Sequence, residues 1–247
     1  MTPLRSITLA TVLALGLAAC GDDAAEETTT RAEAYQPIAA PAGTQWTETV
    51  AITPEGGWKL GNPEAPITLV EYGSLTCPAC AAFSQEGMAP LTQQYVASGR
   101  VSYEFRSVPL HGAIDLLLTR ILQCGPKEAA IPLAEQVWGN LNQVLEPVQA
   151  NQAALQQAMT LPEDQRFVAY AQAAGLYDFF AARGIAVDQQ TQCLSNFAAI
   201  QAVAQRSEAQ SEELNVTGTP TFILNGRNIG SLGWAEVEAN LQNAGAR

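Results

Sequence analysis

Cys77 and Cys80, three residues apart in the run Cys77-Pro78-Ala79-Cys80, are the side chains of this sequence best suited to covalent chemistry. On the first turn of a helix that spacing puts both sulfurs on one side, close enough to bridge. The unpaired N–H groups and positive end of the helix dipole there stabilise a thiolate and depress the pKa of Cys77. Pro78 suits the first helical position, where its missing N–H is not needed. The expectation is an exposed nucleophile at Cys77 and a more buried resolving thiol at Cys80. Two readings compete with it, a static disulfide and half of a zinc site. Zinc takes four N or S ligands, and the sequence offers one histidine, His111, and no second Cys-x-x-Cys.

Other residues join the list. In Thr217-Gly218-Thr219-Pro220-Thr221 a proline stands just before a strand, where it can be cis; the competing reading is a trans proline that merely delimits the strand. Cys124 and Cys193 fall in a helical block and are read as a structural disulfide, worth on the order of 4 kcal/mol in the chain-entropy model. The alternative is two separate buried thiols acting as small hydrophobes. His111 follows Pro109-Leu110 at a strand-to-helix turn and is assigned no role beyond a surface or capping residue.

The elements that position these residues are legible from periodicity and punctuation. Glu48 to Ile52 reads as a short leading strand, and folding proper starts near Trp58. Ile67 to Tyr72 reads as a buried strand between Pro66 and Gly73. An amphipathic helix is expected over 78–98, bent at Pro90 and closed by Gly99, followed by a strand from Val101 to Phe105. About a hundred residues of helical pattern come next. Within them Thr160-Leu161-Pro162-Glu163 looks like a capping box, and Asp188 is placed as the cap of a helix running to about Leu214. Thr221 to Leu224 and Arg227 to Ile229 flank Asn225-Gly226, a strong hairpin signal, and a helix from Trp234 to Asn243 ends the sequence. The order is βαβ, a helical insertion, then ββα.

The first residues read as a targeting segment. Arg5 precedes an apolar stretch from Ile7 to Ala19 that is too short to span a bilayer. Leu17-Ala18-Ala19-Cys20 is similar to a bacterial lipobox, in which Cys20 is lipidated; plain cleavage with Cys20 incidental is the competing reading. Cleavage there removes one basic residue and leaves 11 basic against 24 acidic residues. Such a balance argues against a nucleic-acid partner and against a polybasic membrane contact. Residues 21 to about 45 are rich in acid, Thr, Ala and Pro, and read as a disordered tether. With Cys20 set aside, four cysteines remain, an even number consistent with two disulfides in an exported protein.

The strand–Cys-Pro-Ala-Cys–helix–strand order, the long helical insertion and the late Gly218-Thr219-Pro220-Thr221 resemble the DsbA-like branch of the thioredoxin superfamily, over roughly Trp58 to Ala244. Gly61-Asn62-Pro63-Glu64-Ala65-Pro66 is similar to the opening of those proteins. The resemblance implies an α/β thioredoxin fold with a helical insertion between its two halves. Residues 1–19 would be the signal peptide, 20–57 a lipidated flexible tether and leading strand, 58–112 and 215–247 the two parts of the fold, and 113–214 the insertion. It also implies that Cys77 is the attacking and attacked sulfur and that Cys80 resolves the mixed disulfide. Pro220 would be a cis-proline packed against the pair, with the Thr219 backbone pairing to an extended substrate. Glu71, six residues before Cys77, matches the superfamily's acid beneath the active site and would relay the proton of Cys80; the bland alternative is an acid at a strand's end with its head in water. Reduced exported proteins, a membrane redox partner and a lipid-held membrane are the implied partners of a periplasm-facing monomer that needs no cofactor or metal. One departure stands out. DsbA oxidases carry a histidine between the cysteines, whereas Ala79 cannot stabilise the thiolate. The disulfide is therefore expected to be less oxidising than the roughly −120 mV of DsbA itself. The leading expectation is an exported dithiol oxidase that donates its Cys77–Cys80 disulfide to reduced proteins; the alternatives are an isomerase or reductase kept reduced, and a membrane-tethered binding module without turnover.

Overall fold

The computed structural model describes residues 32–247. The expected signal peptide, the lipidated Cys20 and the first part of the tether lie outside the described residues. From residue 32 onward the chain departs from the expected tether. Ala32 N–H donates to the Asn243 carbonyl (3.0 Å), Tyr35 N–H to that of Gly245 (2.9 Å) and Ile38 N–H to that of Ser98 (2.8 Å). The indole of the buried Trp46 then donates back to the Ile38 carbonyl at 2.7 Å. Backbone pairing, the Trp46 anchor and the guanidinium of Arg247, which donates to the Ala32 carbonyl at 2.6 Å, hold this arm, and none of them leaves a trace in composition.

A short 3₁₀ turn at Trp46–Glu48 delays the leading strand, so β1 is Val50–Ile52 and pairs antiparallel with β2, Trp58–Gly61. β3 (Ile67–Gly73) then leads into α1 (Pro78–Pro90). Pro90 has no N–H to donate four residues back, and the expected bend takes the form of a change of register. Leu91–Val96 form a π-helical turn, where Ala97 N–H reaches the Thr92 carbonyl at 2.9 Å. Gly99, at φ +72°, makes the sharp exit; a Cβ there would strike the Ile38 carbonyl and the Trp46 indole. β4 (Val101–Ser107) closes the first half.

The insertion runs through α2 (Ala113–Cys124), α3 (Ala130–Gly139), α4 (Leu141–Ala150), α5 (Gln152–Ala158), α6 (Glu163–Ala173), α7 (Leu176–Ala181), α8 (Val187–Leu194) and α9 (Phe197–Glu213). Two expected caps are corrected. The Thr160 hydroxyl donates to the Gln157 carbonyl (2.7 Å) and closes the preceding turn, while Pro162 stands at the N-cap of α6. Asp188 lies inside the first turn of α8, and the single long helix expected after it is two. Asn196 interrupts it, its side chain accepting the Ala199 N–H at 3.0 Å and starting α9 afresh. Cys124, at the end of α2, is bonded to Cys193 in α8, with Cα atoms 6.2 Å apart.

The chain returns with β5 (Thr221–Leu224) and β6 (Arg227–Gly230), then α10 (Trp234–Asn243). Asn225 and Gly226 both have positive φ (49° and 81°), as a two-residue type I′ turn requires. The six strands form one sheet in the order β1-β2-β4-β3-β5-β6; β3 and β4 are parallel and every other pair is antiparallel.

Alternation along β3 decides what lies under α1. Ile67, Leu69 and Glu71 point to one face; Tyr72 points to the other, where it packs with Val216 and Ile223. On the α1 side Phe83 meets Phe222 of β5 (ring centroids 4.6 Å), and Trp138 of α3 sets its edge on Phe105 of β4 (5.2 Å). The insertion is thus packed into the same core that carries Glu71. Because Asn196 is an exposed cap with one clear partner, Asn196→Ala is expected to lower stability by about 1 kcal/mol, whereas Asn196→Asp keeps it. Urea denaturation midpoints check this.

Candidate active site

Cys77 has extended backbone (φ −83°, ψ 122°) and is the N-cap of α1, with Pro78 at the first helical position. Its N–H donates to the Ser74 carbonyl at 3.2 Å, and its own carbonyl accepts the first helical bond, from Ala81 at 3.1 Å. Cys80 falls one turn on and is fully buried. Cys77 is less open than expected, 6% exposed. The reason is the loop before β5: the Thr219–Pro220 peptide is cis, and it carries the Thr219 carbonyl oxygen to 3.3 Å from Cys77 Sγ. Both cysteines are free thiols in this state.

The two sulfurs sit in opposite electrostatic situations. The Cys80 thiol donates to Cys77 Sγ, and this is the largest influence holding the Cys77 pKa down, at about 5 against burial. The backbone N–H groups of Cys80 and Ala79 act in the same direction. Those amides belong to the helix start and would be unpaired without an anion. Cys80 is pushed the other way, by donating to Cys77, by burial and by the nearby Glu71.

Glu71 sits in the apolar face of β3, opposite Phe105 on one side and Phe222 on the other. It is fully buried rather than wet at a strand's end. The Tyr103 hydroxyl donates to its Oε2 at 2.6 Å, while Oε1 has no hydrogen-bond partner in the protein. Burial, reinforced by the charge of Cys77 and opposed by the Tyr103 hydrogen bond, raises its pKa to about 8. Gly73 leaves room for it, since a Cβ there would come within 2.8 Å of Oε1.

The structure therefore brings Cys77, Cys80, Glu71, Thr219 and Pro220 together, and leaves Cys124–Cys193 elsewhere, between α2 and α8. Sequence reasoning missed the residues that brace the site. Trp138 Nε1–H donates to the Ser74 carbonyl at 3.0 Å, and the buried Asp115 binds the side chains of Ser74 and Thr76. His111, given no role, has Nδ1 at 2.7 Å from the Thr76 hydroxyl. A signal existed: Asp115 interrupts the buried stripe of Leu118, Thr119 and Leu122 on α2 with a charge. Among the described residues no cluster of three or more His, Cys, Asp or Glu side chains is arranged to hold a metal. Among them too, no helix is long and apolar enough to cross a membrane.

A family model described as thioredoxin matches residues 53–243. Disulfide bond formation protein D of Bacillus subtilis is 30% identical over 79 residues, 32% of this chain and 30% of that protein. The chain spans less than a third of the Bacillus relatives it matches. The crystal structure of a protein-disulfide isomerase from Novosphingobium aromaticivorans is 29% identical, with a TM-score of 0.68 over 75% of this chain and 95% of that one. Wolbachia pipientis alpha-DsbA1 shares the fold at 20% identity, with a TM-score of 0.61 over 76% of this chain and 89% of that one. The expected α/β fold with a helical insertion is thus shared with DsbA-like structures.

The state of Glu71 has a consequence for stability. The unfolded chain releases this proton near pH 4.5, whereas the folded chain keeps it until about pH 8. Folded stability must therefore fall as pH rises between those values, by up to about 1.4 kcal/mol per pH unit, and level off above. In the oxidised protein, where Cys77 and Cys80 do not titrate, Glu71→Gln should flatten this slope. Denaturant midpoints of both proteins between pH 5 and pH 8 measure it.

Proposed function

We propose that this chain, which belongs to the thioredoxin family, is an exported thiol:disulfide oxidoreductase working as a dithiol oxidase. The observation that carries the direction is the place of Cys77 at the N-cap of α1, one turn from the Cys80 thiol, an arrangement that lowers its pKa to about 5. A stabilised Cys77 thiolate favours the reduced pair, so the Cys77–Cys80 disulfide is readily given away. The loss of stabilisation expected from Ala79 is met by the Cys80 thiol and the helix amides.

A substrate thiolate attacks Sγ of Cys77. The Cys77–Cys80 bond breaks, a mixed disulfide forms, and Cys80 leaves as a thiolate. With its pKa raised, Cys80 takes up a proton at once, and Glu71, neutral below about pH 8, is the donor in this scheme. The second substrate thiolate then attacks the substrate sulfur, and Cys77 departs as the stable thiolate. The Thr219 backbone beside the cis peptide aligns an extended substrate segment during these steps. The substrates are reduced exported proteins, and a membrane-held redox partner removes the two electrons. Lipidation of Cys20 would tether the enzyme on the periplasmic side, as a monomer. Cys124–Cys193 is the structural bridge of the insertion, and no cofactor or metal is needed.

A second reading, an isomerase or reductase kept reduced, is favoured by one observation: the Novosphingobium aromaticivorans structure is described as a protein-disulfide isomerase. Two experiments decide. A Cys80→Ala variant should accumulate mixed disulfides with exported proteins through Cys77, and capture of none would remove the enzymatic reading. Thiol alkylation in intact cells should find the Cys77–Cys80 pair mostly oxidised; a mostly reduced pair would turn the assignment to the isomerase. Glu71→Gln should slow disulfide transfer on the order of 10–100-fold with little change in capture by Cys80→Ala.

A further inference from the structure

The loop Ser74–Cys77 is tied to the insertion by a buried carboxylate that the chemistry above does not use. Asp115 on α2 is fully buried, yet it accepts from four donors. Its Oδ2 takes the Ser74 hydroxyl (2.9 Å) and the His111 N–H (2.9 Å). Its Oδ1 takes the Thr76 N–H (3.0 Å) and the Thr76 hydroxyl (3.0 Å). Burial raises the Asp115 pKa, and the four donors oppose that by favouring the ionised carboxylate, whose burial is costly unless every lone pair is used. Three of the four donors belong to the two residues that lead into Cys77. The same loop is held from behind by Trp138, whose indole donates to the Ser74 carbonyl that also accepts the Cys77 N–H.

His111 completes the arrangement from outside. The Thr76 hydroxyl lies 3.0 Å from Asp115 Oδ1 and 2.7 Å from His111 Nδ1, so it joins the imidazole to the buried carboxyl group. The half-exposed imidazole thus caps the network where it meets water.

We propose that Asp115, acting through Thr76 and locked by His111, is a positioning residue that fixes Cys77 so that the Ala79 and Cys80 amides converge on its sulfur. The inference rests on Cys77 being the reacting sulfur of the proposed function, and it adds residues from the insertion to that site. Ala79 offers Cys77 no side-chain donor, so the thiolate depends on backbone amides and neighbouring side chains whose aim is set by this loop. The titratable groups that face Cys77 are Cys80 and Glu71, and His111 is the one that faces Asp115. None of the variants below alters Cys80 or Glu71.

The test reads the Cys77 thiolate directly, by ultraviolet absorbance and by the pH profile of alkylation of the reduced full chain. Asp115→Asn turns one acceptor into a donor against the loop. It should raise the Cys77 pKa and lower the thiolate fraction on the acid side by about tenfold. Thr76→Val, which deletes only the hydroxyl, and His111→Phe should move it in the same direction by less, while Thr76→Ser should restore the wild-type profile. The sign is diagnostic. If Asp115 acts merely as a nearby negative charge, its removal lowers the Cys77 pKa, and the proposal fails. If denaturation midpoints fall while the profile stays put, Asp115 only braces the fold, and the proposal fails again. Should Asp115→Asn not fold, the Thr76 and His111 variants distinguish the same outcomes. A wild-type Cys77 that titrates in the ordinary thiol range would instead count against the proposed function.

Discussion

A sulfur anion at the open end of α1 is the constraint around which this molecule is arranged. The amides of the first helical turn have no backbone acceptors, and Cys77 stands at the N-cap beside them, where those of Ala79 and Cys80 help to lower its pKa. Cys80 adds its thiol from one turn further on, and the cis peptide before Pro220 covers the other side, its Thr219 carbonyl accepting from Cys77 when that thiol is protonated. Pro78 begins the helix without adding a further unpaired amide. If Cys77 moves relative to that helix start, the asymmetry between the two thiols goes with it, and the pair becomes an ordinary bridge.

The sheet supplies the complementary condition, a proton held in a dry place. β3 alternates Ile67, Leu69 and Glu71 on its covered face, so the strand pattern that builds the core also buries a carboxyl. Tyr103 occupies one of its oxygens and leaves the other free of protein partners. Burial keeps the carboxyl neutral, and it adds to the hydrogen bond with Cys77 that keeps Cys80 protonated. Low and high proton affinities are thus set a few residues apart, first by the hydrogen bond that Cys80 donates to Cys77, and then by helix amides on one side and apolar enclosure on the other.

Much of this was readable from residue order. The strand before Cys77, the helix after Pro78, the Asn225-Gly226 hairpin and the last helix each carry a local signature, and local signatures survive folding. Glu71 and Pro220 needed the resemblance as well, because a carboxylate in a strand and a proline before one are individually common. What sequence reading missed depends on partners distant in the chain. The arm from residue 32 is held by backbone groups of Ser98, Asn243 and Gly245, and backbone pairing has no composition. The break at Asn196 lay hidden in a continuous helical pattern, since a capping asparagine and a surface asparagine look alike. Asp115, Thr76 and His111 meet only because α2 returns over the loop after β3. Helical spacing on α2 holds only one sign of it, a single charge on a buried stripe, and that sign was not read.

The insertion is accordingly more than a cover. Trp138 enters the core beside Phe105 and grips the Ser74 carbonyl, so α3 and α2 both reach the loop that presents Cys77. The most direct measurement of the central claim is the equilibrium of Cys77–Cys80 with a glutathione redox buffer at neutral pH. A stabilised Cys77 thiolate predicts a disulfide clearly more oxidising than thioredoxin's potential of about −270 mV, and a shift towards reducing values when that thiolate is destabilised. A potential at or below that of thioredoxin, with Cys77 ionising as an ordinary thiol, would contradict it.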